Sequence, residues 1–184
     1  MELSASSPEG VPMGQLYTAV VDFLTEDNWT FRVAEEDVAL QFGFRGKSSS
    51  WQCLCIVDEE KSFVRFYSIL PAVVPEAQRH AVAEFITRAN YGLPIGNFEL
   101  DYGDGEVRYK TSIDIEGGEF TPKMVENLLM SNLTTTDRYV PGLMRVLYGD
   151  REPADAIAEI EANDGDDDDE EIDFGSVDEG DEHP

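Results

Sequence analysis

Residues 97–115 read NFELDYGDGEVRYKTSIDI, and this stretch decides the fold. Polar and apolar residues alternate on both sides of Asp104-Gly105, a dipeptide typical of two-residue β-hairpin turns. Such a turn predicts four cross-strand pairs, in which apolar faces apolar and acid faces base: Tyr102 with Val107, Asp101 with Arg108, Leu100 with Tyr109, and Glu99 with Lys110. The hairpin therefore has one apolar face and one wet face, as in an antiparallel sheet that is covered on one side.

A second predicted hairpin consists of strands at residues 51–57 and 62–70, joined by Asp58-Glu59-Glu60-Lys61. If Asp58 pairs with Lys61, both faces of this hairpin are apolar. The face that helices would leave uncovered then carries five residues, which we call the outer patch: Leu54, Ile56, Phe63, Tyr67 and Ile69. Because monomeric proteins seldom leave a large apolar patch open, we predict that the outer patch is a binding surface.

Helical periodicity predicts three main helices around these strands. The first covers residues 13–27, the second begins at Pro75, and the third begins at Thr121-Pro122. Thr134–Asp137 offer a further N-cap, which would place Pro141 in or near a new first turn. With two more strands after the first helix, the order is α-β-β-β-β-α-β-β-α. This order predicts an α+β fold in which helices pack on one face of an antiparallel sheet.

The 184-residue chain carries a formal net charge of -26, and its acids are unevenly placed. Residues 152–184 hold 16 acids and no Lys or Arg. We predict a flexible N-terminus at residues 1–12, a single α+β domain at residues 13–162 and a disordered acidic tail at residues 163–184. Such a surface repels phosphates, so we expect no nucleic-acid partner and no membrane partner. No stretch resembles a signal peptide or a membrane span, and we therefore expect a cytoplasmic location.

Residues that could carry catalysis or bind a metal are scarce. Cys53 and Cys55 are the only cysteines, and His80 is the only histidine outside the tail. A metal site would need two more ligands, and a serine or cysteine triad has only this one imidazole to draw on. We expect buried, reduced thiols, and we predict no catalytic residue, no metal and no cofactor. A pair of catalytic carboxylates in a hydrolase-like enzyme stays open as an alternative.

Three phrases of the sequence carry a family resemblance: Leu16-Tyr17 through Trp29; residues 88–99, RANYGLPIGNFE; and VLYG at 146–149 followed by PADAI at 153–157. Together with the order of elements, they resemble the YbjN family of bacterial sensory transduction regulators over residues 14–160. That family's fold is similar to the class I type III secretion chaperones, also called Tir-chaperone-like. The resemblance implies a protein-binding module that is non-enzymatic and often dimeric, with no agreed catalytic or ligand-binding residues to carry over.

Our leading hypothesis is therefore a regulatory or chaperone-like protein-binding module that acts through the outer patch. Its partner would be another protein or a second copy, and we expect a homodimer. Two alternatives stay open: the hydrolase-like enzyme with buried carboxylates, and a purely structural dimer whose patch serves self-association. A pocket with convergent carboxylates would favour the enzyme, whereas a flat apolar sheet face would favour binding.

Overall fold

The computed structural model describes residues 14–162, so the predicted flexible N-terminus and acidic tail lie outside the described residues. The predicted order of elements is present, and the short helix that the pattern of Ile157 and Ile160 predicts after Pro153 follows at the end. The elements are α1 (Gln15–Glu26), β1 (Phe31–Glu35), β2 (Ala39–Arg45), β3 (Ser50–Asp58), β4 (Phe63–Val73), a 3-10 turn (Glu76–Gln78), α2 (Arg79–Asn90), β5 (Asn97–Leu100), β6 (Glu106–Asp114), α3 (Pro122–Tyr148) and α4 (Pro153–Ala162).

The six strands form one sheet in the order β1-β2-β3-β4-β6-β5, and every neighbouring pair is antiparallel. Alternate strand residues such as Phe42, Cys55, Phe66 and Tyr109 are buried under the helices on one face, which we call the inner face. The opposite face is the outer face. The α+β fold class with an antiparallel sheet is therefore confirmed.

Two apolar cores fill the space between the inner face and the helices. In the first, α1 and the N-terminal half of α3 pack on β2, β3 and β4. In the second, α2, α4 and the C-terminal half of α3 pack on β5, β6 and the end of β4. Helix α3 contributes to both cores, so its position on the sheet fixes the two halves of the domain relative to each other.

A buried polar cluster centred on Asn132 of α3 joins the helix to the sheet. The Ser68 hydroxyl donates to Asn132 Oδ1 at 2.6 Å, and Trp51 Nε1 donates to Ser68 Oγ at 2.8 Å. Asn132 Nδ2 in turn donates to the carbonyls of Phe66, at 3.0 Å, and Tyr109, at 3.3 Å. Because an amide needs these partners once it is buried, the cluster specifies one position of α3 along the sheet.

The prediction of a second N-cap at Thr134–Asp137 is wrong. Helix α3 runs unbroken over Pro122–Tyr148, and Pro141 lies inside it. The Thr136 hydroxyl donates back to the carbonyl of Asn132 at 2.7 Å, so this side chain follows the helix instead of capping a new one. Pro141 removes one backbone hydrogen bond, and the buried stripe that continues on both sides of it holds the helix in one piece.

Both predicted hairpins form, but both predicted registers are wrong by two residues. Leu100 pairs with Val107 where Tyr109 was expected, and Asp58 pairs with Phe63 where Lys61 was expected. Each hairpin has a longer loop than the predicted two-residue turn. Because the shift is even, every strand residue keeps its predicted face.

Local and tertiary contacts explain the longer loop between β5 and β6. The Asp101 carboxylate accepts from Gly103 N–H at 2.6 Å, and the Asp101 carbonyl accepts from Gly105 N–H at 2.9 Å. Gly105 has φ +87°, its carbonyl accepts from Val74 N–H at 2.9 Å, and a Cβ added there would lie 2.2 Å from the Val74 carbonyl oxygen. The loop is therefore shaped by its contact with the end of β4 as well as by its own residues.

The two edges of the sheet differ. At the β5 edge, Asn90 Oδ1 accepts from Phe98 N–H at 2.7 Å, and Asn90 Nδ2 donates to the Phe98 carbonyl at 3.0 Å. These two bonds occupy the outward-facing backbone groups of Phe98 in a strand of only four residues. At the other edge, β1 has no further neighbouring strand within residues 14–162, and four of its five residues are exposed.

Glu99 of β5 lies between two bases of β6 on the outer face. Its carboxylate accepts from Arg108 Nε at 2.8 Å and pairs with Lys110. Partial burial alone would raise the pKa of Glu99, but the hydrogen bonds and charges of Lys110 and Arg108 outweigh it and hold that pKa below its ordinary value. The ion pair thus stabilises the fold fully above the unfolded-state pKa of about 4.3, and this contribution is lost as the pH falls through the folded-state pKa.

We expect Glu99→Gln to lower the free energy of unfolding at pH 7 by a few tenths to about 1 kcal/mol. The difference from the unsubstituted protein should shrink as the pH falls below the unfolded-state pKa of about 4.3 and through the lowered folded-state pKa, where the carboxylate becomes protonated in both states. Urea unfolding at a series of pH values from 7 downward measures this difference. The exposed Glu119 serves as a control, since Glu119→Gln should change the free energy of unfolding at pH 7 by less than about 0.5 kcal/mol. A difference between Glu99→Gln and the unsubstituted protein that stays constant with pH would contradict the assignment.

Candidate protein-binding face

The outer face of the sheet is not covered by any helix of residues 14–162, because both cores draw their strand residues from the inner face. All five residues of the outer patch lie on this face. Leu54 pairs directly with Tyr67, and Ile69 lies two residues further along β4. The structure therefore brings the predicted residues together on neighbouring strands, β3 and β4.

The outer patch is less open than the sequence suggests. Tyr67 is only 8% exposed, and the other four residues are half-buried. Long polar side chains share the face with them. The Arg108 guanidinium lies over the Tyr67 ring, 4.7 Å from its centroid, and Arg65 lies opposite Ile56. Because such side chains cover apolar surface with their aliphatic stems, the outer face is mixed in character instead of continuously apolar.

A groove of about 460 Å³, which we call the outer groove, lies beside the outer patch and was not predicted. It is lined by Arg32, Gln41, Gly43, Gln52, Ile69 and Pro71. Phe31, Phe42, Phe44 and Trp51 also border it, but their rings pack in the first core on the inner face. Gly43 leaves space in the middle of β2 because it has no side chain. Its outward position in the alternating pattern of β2 was the available signal for this groove.

The two ends of the outer face carry opposite charges. Arg45 and Lys47 lie at the end formed by the turn between β2 and β3, close to the outer groove. Arg45 is exposed and forms no ion pair within residues 14–162. At the other end, a second depression of about 440 Å³ is lined by Asp37, Asp58, Glu59, Glu60 and Arg65. A complementary partner would therefore present acids at one end and bases at the other.

The two cysteines do not contribute to this face. Both are free and buried on the inner side of β3. Burial raises the pKa of the Cys53 thiol to about 12 and also raises the pKa of Cys55, so neither is a thiolate at neutral pH. They are core residues, as predicted, and His80 is exposed on α2.

The described part of the chain, residues 14–162, contains no group of three His, Cys, Asp or Glu side chains placed to hold a metal ion. None of its helices is both long enough and apolar enough to cross a membrane.

A family model named YbjN, described as "Putative bacterial sensory transduction regulator", matches residues 17–144. The matched range contains the whole sheet, from β1 to β6, and most of α3. The chain belongs to the YbjN family. Family membership confirms the resemblance that the three sequence phrases predict. No curated protein matches the chain.

Two solved structures are similar to this YbjN-family chain. One is "Crystal Structure of the ExsC-ExsE Complex"; the match has a TM-score of 0.50 and 13% sequence identity and covers 71% of this chain and 94% of that chain. The other is "Structure of the HopA1-SchA Chaperone-Effector Complex", with a TM-score of 0.43, 14% identity and coverage of 65% and 88%. At 13% identity the likeness to the first structure concerns the fold alone. The predicted type III secretion chaperone-like fold is confirmed.

Proposed function

We propose that this protein is a non-enzymatic protein-binding regulator or chaperone-like module that receives its partner on the outer face of the sheet. The observation that carries this proposal is the uncovered outer face, on which the outer groove adjoins the outer patch. Membership of the YbjN family and the chaperone-like fold support a protein-binding role. The similar ExsC-ExsE structure is itself a complex of two proteins.

The chemistry of the face defines the kind of partner. Apolar side chains would pack on the half-buried Leu54, Ile56 and Ile69, and acids would lie near Arg45. Bases would face the acidic end around Asp58. This combination of an apolar centre with charged ends is typical of specific protein interfaces. The reduced thiols of the core are compatible with the cytoplasmic location that the sequence predicts.

Self-association through the same face is a second candidate, and the charge arrangement favours it. In a two-fold dimer each patch meets its own copy, so the basic end of one protomer can lie on the acidic end of the other. Arg45 and Lys47 of one copy would then approach Asp58 and Glu59 of the second. This arrangement supports the expected homodimer as well as the structural-dimer alternative.

The enzyme alternative rests on the second depression, which is lined by Asp37, Asp58, Glu59 and Glu60. One oxygen of Glu59, Oε2, is buried there without a hydrogen-bond partner among the described residues. Asp37 and Glu60 are exposed, however, and no carboxylate side chain of residues 14–162 is buried as a whole. The outer groove is lined without Asp, Glu, His or Cys. Binding is therefore the better-supported function, since a catalytic carboxylate of this kind works from a buried position.

Replacing both Ile56 and Phe63 with Lys is expected to leave a folded protein that loses its partner or its dimer. Burying two added charges against an apolar surface should weaken binding at least about tenfold, or 1.4 kcal/mol. Sedimentation velocity measures self-association. Affinity capture from the native cell, followed by titration with the purified captured protein, measures partner binding.

Tyr91 and Tyr148 provide the matched control, because they are exposed at the ends of α2 and α3, away from the outer face. The double variant Tyr91→Lys and Tyr148→Lys adds the same charge and should bind normally. If Ile56→Lys and Phe63→Lys unfold the protein, these residues belong to the core. If binding is unchanged in the folded variant, the outer face is not the binding surface.

A further inference from the structure

Four bases gather at one corner of an acidic domain. Residues 14–162 hold 25 acids and 13 bases, yet Arg45 and Lys47 flank the turn between β2 and β3, and Arg32 lies in the adjoining outer groove. The Asp137 carboxylate accepts from Lys47 N–H at 3.0 Å, which places the next residue of α3, Arg138, beside this turn. We call Arg45, Lys47 and Arg138 the basic corner; all three are exposed.

Two acids of the described residues lie near the basic corner. Asp137 accepts from the Lys47 backbone, and Asp27 accepts from Trp29 Nε1 at 2.8 Å beside Phe44. Arg32 donates to the neutral Gln41 side chain at 2.8 Å and forms no ion pair within residues 14–162. The corner and the groove are therefore a locally positive, partly apolar surface, which fits an acidic segment that also carries an aromatic side chain.

Such a segment exists in the chain itself. Residues 163–184 contain 12 acids, no Lys or Arg, and a single aromatic residue, Phe174. We propose that residues 163–184 dock on the basic corner and place Phe174 in the outer groove. The acids of the segment meet the four bases, and the Phe174 ring packs against the apolar lining of the groove at Ile69 and Pro71.

The length of the segment permits this contact. Helix α4 ends at Ala162, where it packs on α2 and α3. The twelve residues from 163 to Phe174 can span at most about 40 Å, whereas a domain of this size has a radius of gyration of about 15 Å. The chain can therefore pass from the helix layer around the turn between β2 and β3 to the outer face.

Docking would make the segment an internal competitor for the outer face. Ile69 belongs to both the outer groove and the outer patch, so a segment seated in the groove covers part of the patch. A partner would have to displace it. The docking itself does not rest on the proposed function, since the segment can occupy the groove whether or not another protein binds there.

A nitroxide label on the full chain tests the contact directly. Ser176→Cys provides the attachment site, because Cys53 and Cys55 are buried and their pKa values are raised. We expect the amide NMR signals of residues 43–47 and 137–138 to weaken at least about twofold at about 0.01 M salt, where the Debye length is about 30 Å, and to recover at about 1 M, where it is about 3 Å. No weakening at low salt would overturn the proposal.

Charge reversals distinguish docking at the basic corner from a nonspecific attraction of the acidic segment to any base of the domain. Arg45→Glu with Lys47→Glu should abolish the weakening, whereas Arg88→Glu with Lys123→Glu, which changes the same charge on α2 and α3, should retain it. A segment variant covers the case in which the corner variant fails to fold. Phe174→Ser combined with Asn at Asp166, Asp167, Asp168 and Asp169 leaves residues 14–162 intact and should also abolish the weakening.

Equal weakening in the corner variant and its matched control would overturn the proposal, and so would weakening that persists in the segment variant. A mixture of labelled and isotope-enriched unlabelled chains identifies the remaining alternative. If the signals weaken only between different molecules, the occupant of the corner is a second copy, and the intramolecular contact is refuted.

Discussion

Replacing Asn132 with Leu is expected to lower the free energy of unfolding by about 2–4 kcal/mol. Leu has the same number and branching of side-chain heavy atoms as Asn, so the loss comes from hydrogen bonds and not from an empty space. Without the amide, the Ser68 hydroxyl loses its acceptor, and the carbonyls of Phe66 and Tyr109 lose a donor from α3. These groups are buried where water cannot replace the missing partner, which is why the expected loss exceeds that of a surface hydrogen bond.

Urea unfolding measured by tryptophan fluorescence is a suitable test, because Trp51 belongs to the Asn132 cluster. Thr134→Ala, on the same helix, is the matched control. The Thr134 hydroxyl is exposed and donates to the Met130 carbonyl of its own helix, so its removal should change stability by less than about 0.5 kcal/mol. Equal stabilities of Asn132→Leu and the unsubstituted protein would show that the cluster does not hold α3 on the sheet.

Gly105→Ala is expected to cost about 3 kcal/mol or more, since it combines backbone strain with a collision. The φ of +87° is unfavourable for a residue with a side chain, and the added Cβ would lie 2.2 Å from the Val74 carbonyl oxygen. That oxygen belongs to the backbone and cannot rotate away. The loop between β5 and β6 would have to separate from the end of β4.

Gly117→Ala is the matched control, because it introduces the backbone strain without the collision. Gly117 has φ +71°, and an added Cβ would find no atom within 4 Å, so only about 1 kcal/mol of conformational strain is expected. Urea unfolding should therefore separate the two variants by about 2 kcal/mol, and hydrogen exchange at Val74 should accelerate only in Gly105→Ala. Similar losses in both variants would mean that Gly105 does not contact β4 closely.

The alternation of residues predicted the faces of the strands correctly because a side chain's face depends only on its parity along the strand. Register also depends on loop length, and the loop before β6 is set by the Asp101 side chain and by the contact between Gly105 and Val74. That contact joins residues about thirty positions apart in the sequence, so the local pattern around Asp104-Gly105 does not contain it.

Helix α3 shows a related limit. Thr136 is a residue typical of caps and turns, and read locally it favours a helix start. In the structure its hydroxyl donates to the backbone carbonyl of Asn132 within a continuous helix, and the Asn132 side chain holds that helix on the sheet. The same holds for the candidate site. The sequence placed Leu54, Ile56 and Tyr67 on the outer face, but their exposure depends on where Arg65 and Arg108 lie, and neither alternation nor composition determines that.

The difference between the two sheet edges limits how large an assembly of this protein can become by strand addition. A sheet with two open edges can gain copies at both sides without end and grow into a fibre. Here the backbone groups of Phe98 are already occupied by Asn90, so within residues 14–162 the β1 edge is the one that can accept another strand. Two chains that pair through β1 would each use their single open edge. The outer edges of the combined sheet would then be the two β5 strands, whose Phe98 backbone groups are bonded to Asn90. Growth along the sheet would therefore end at two molecules.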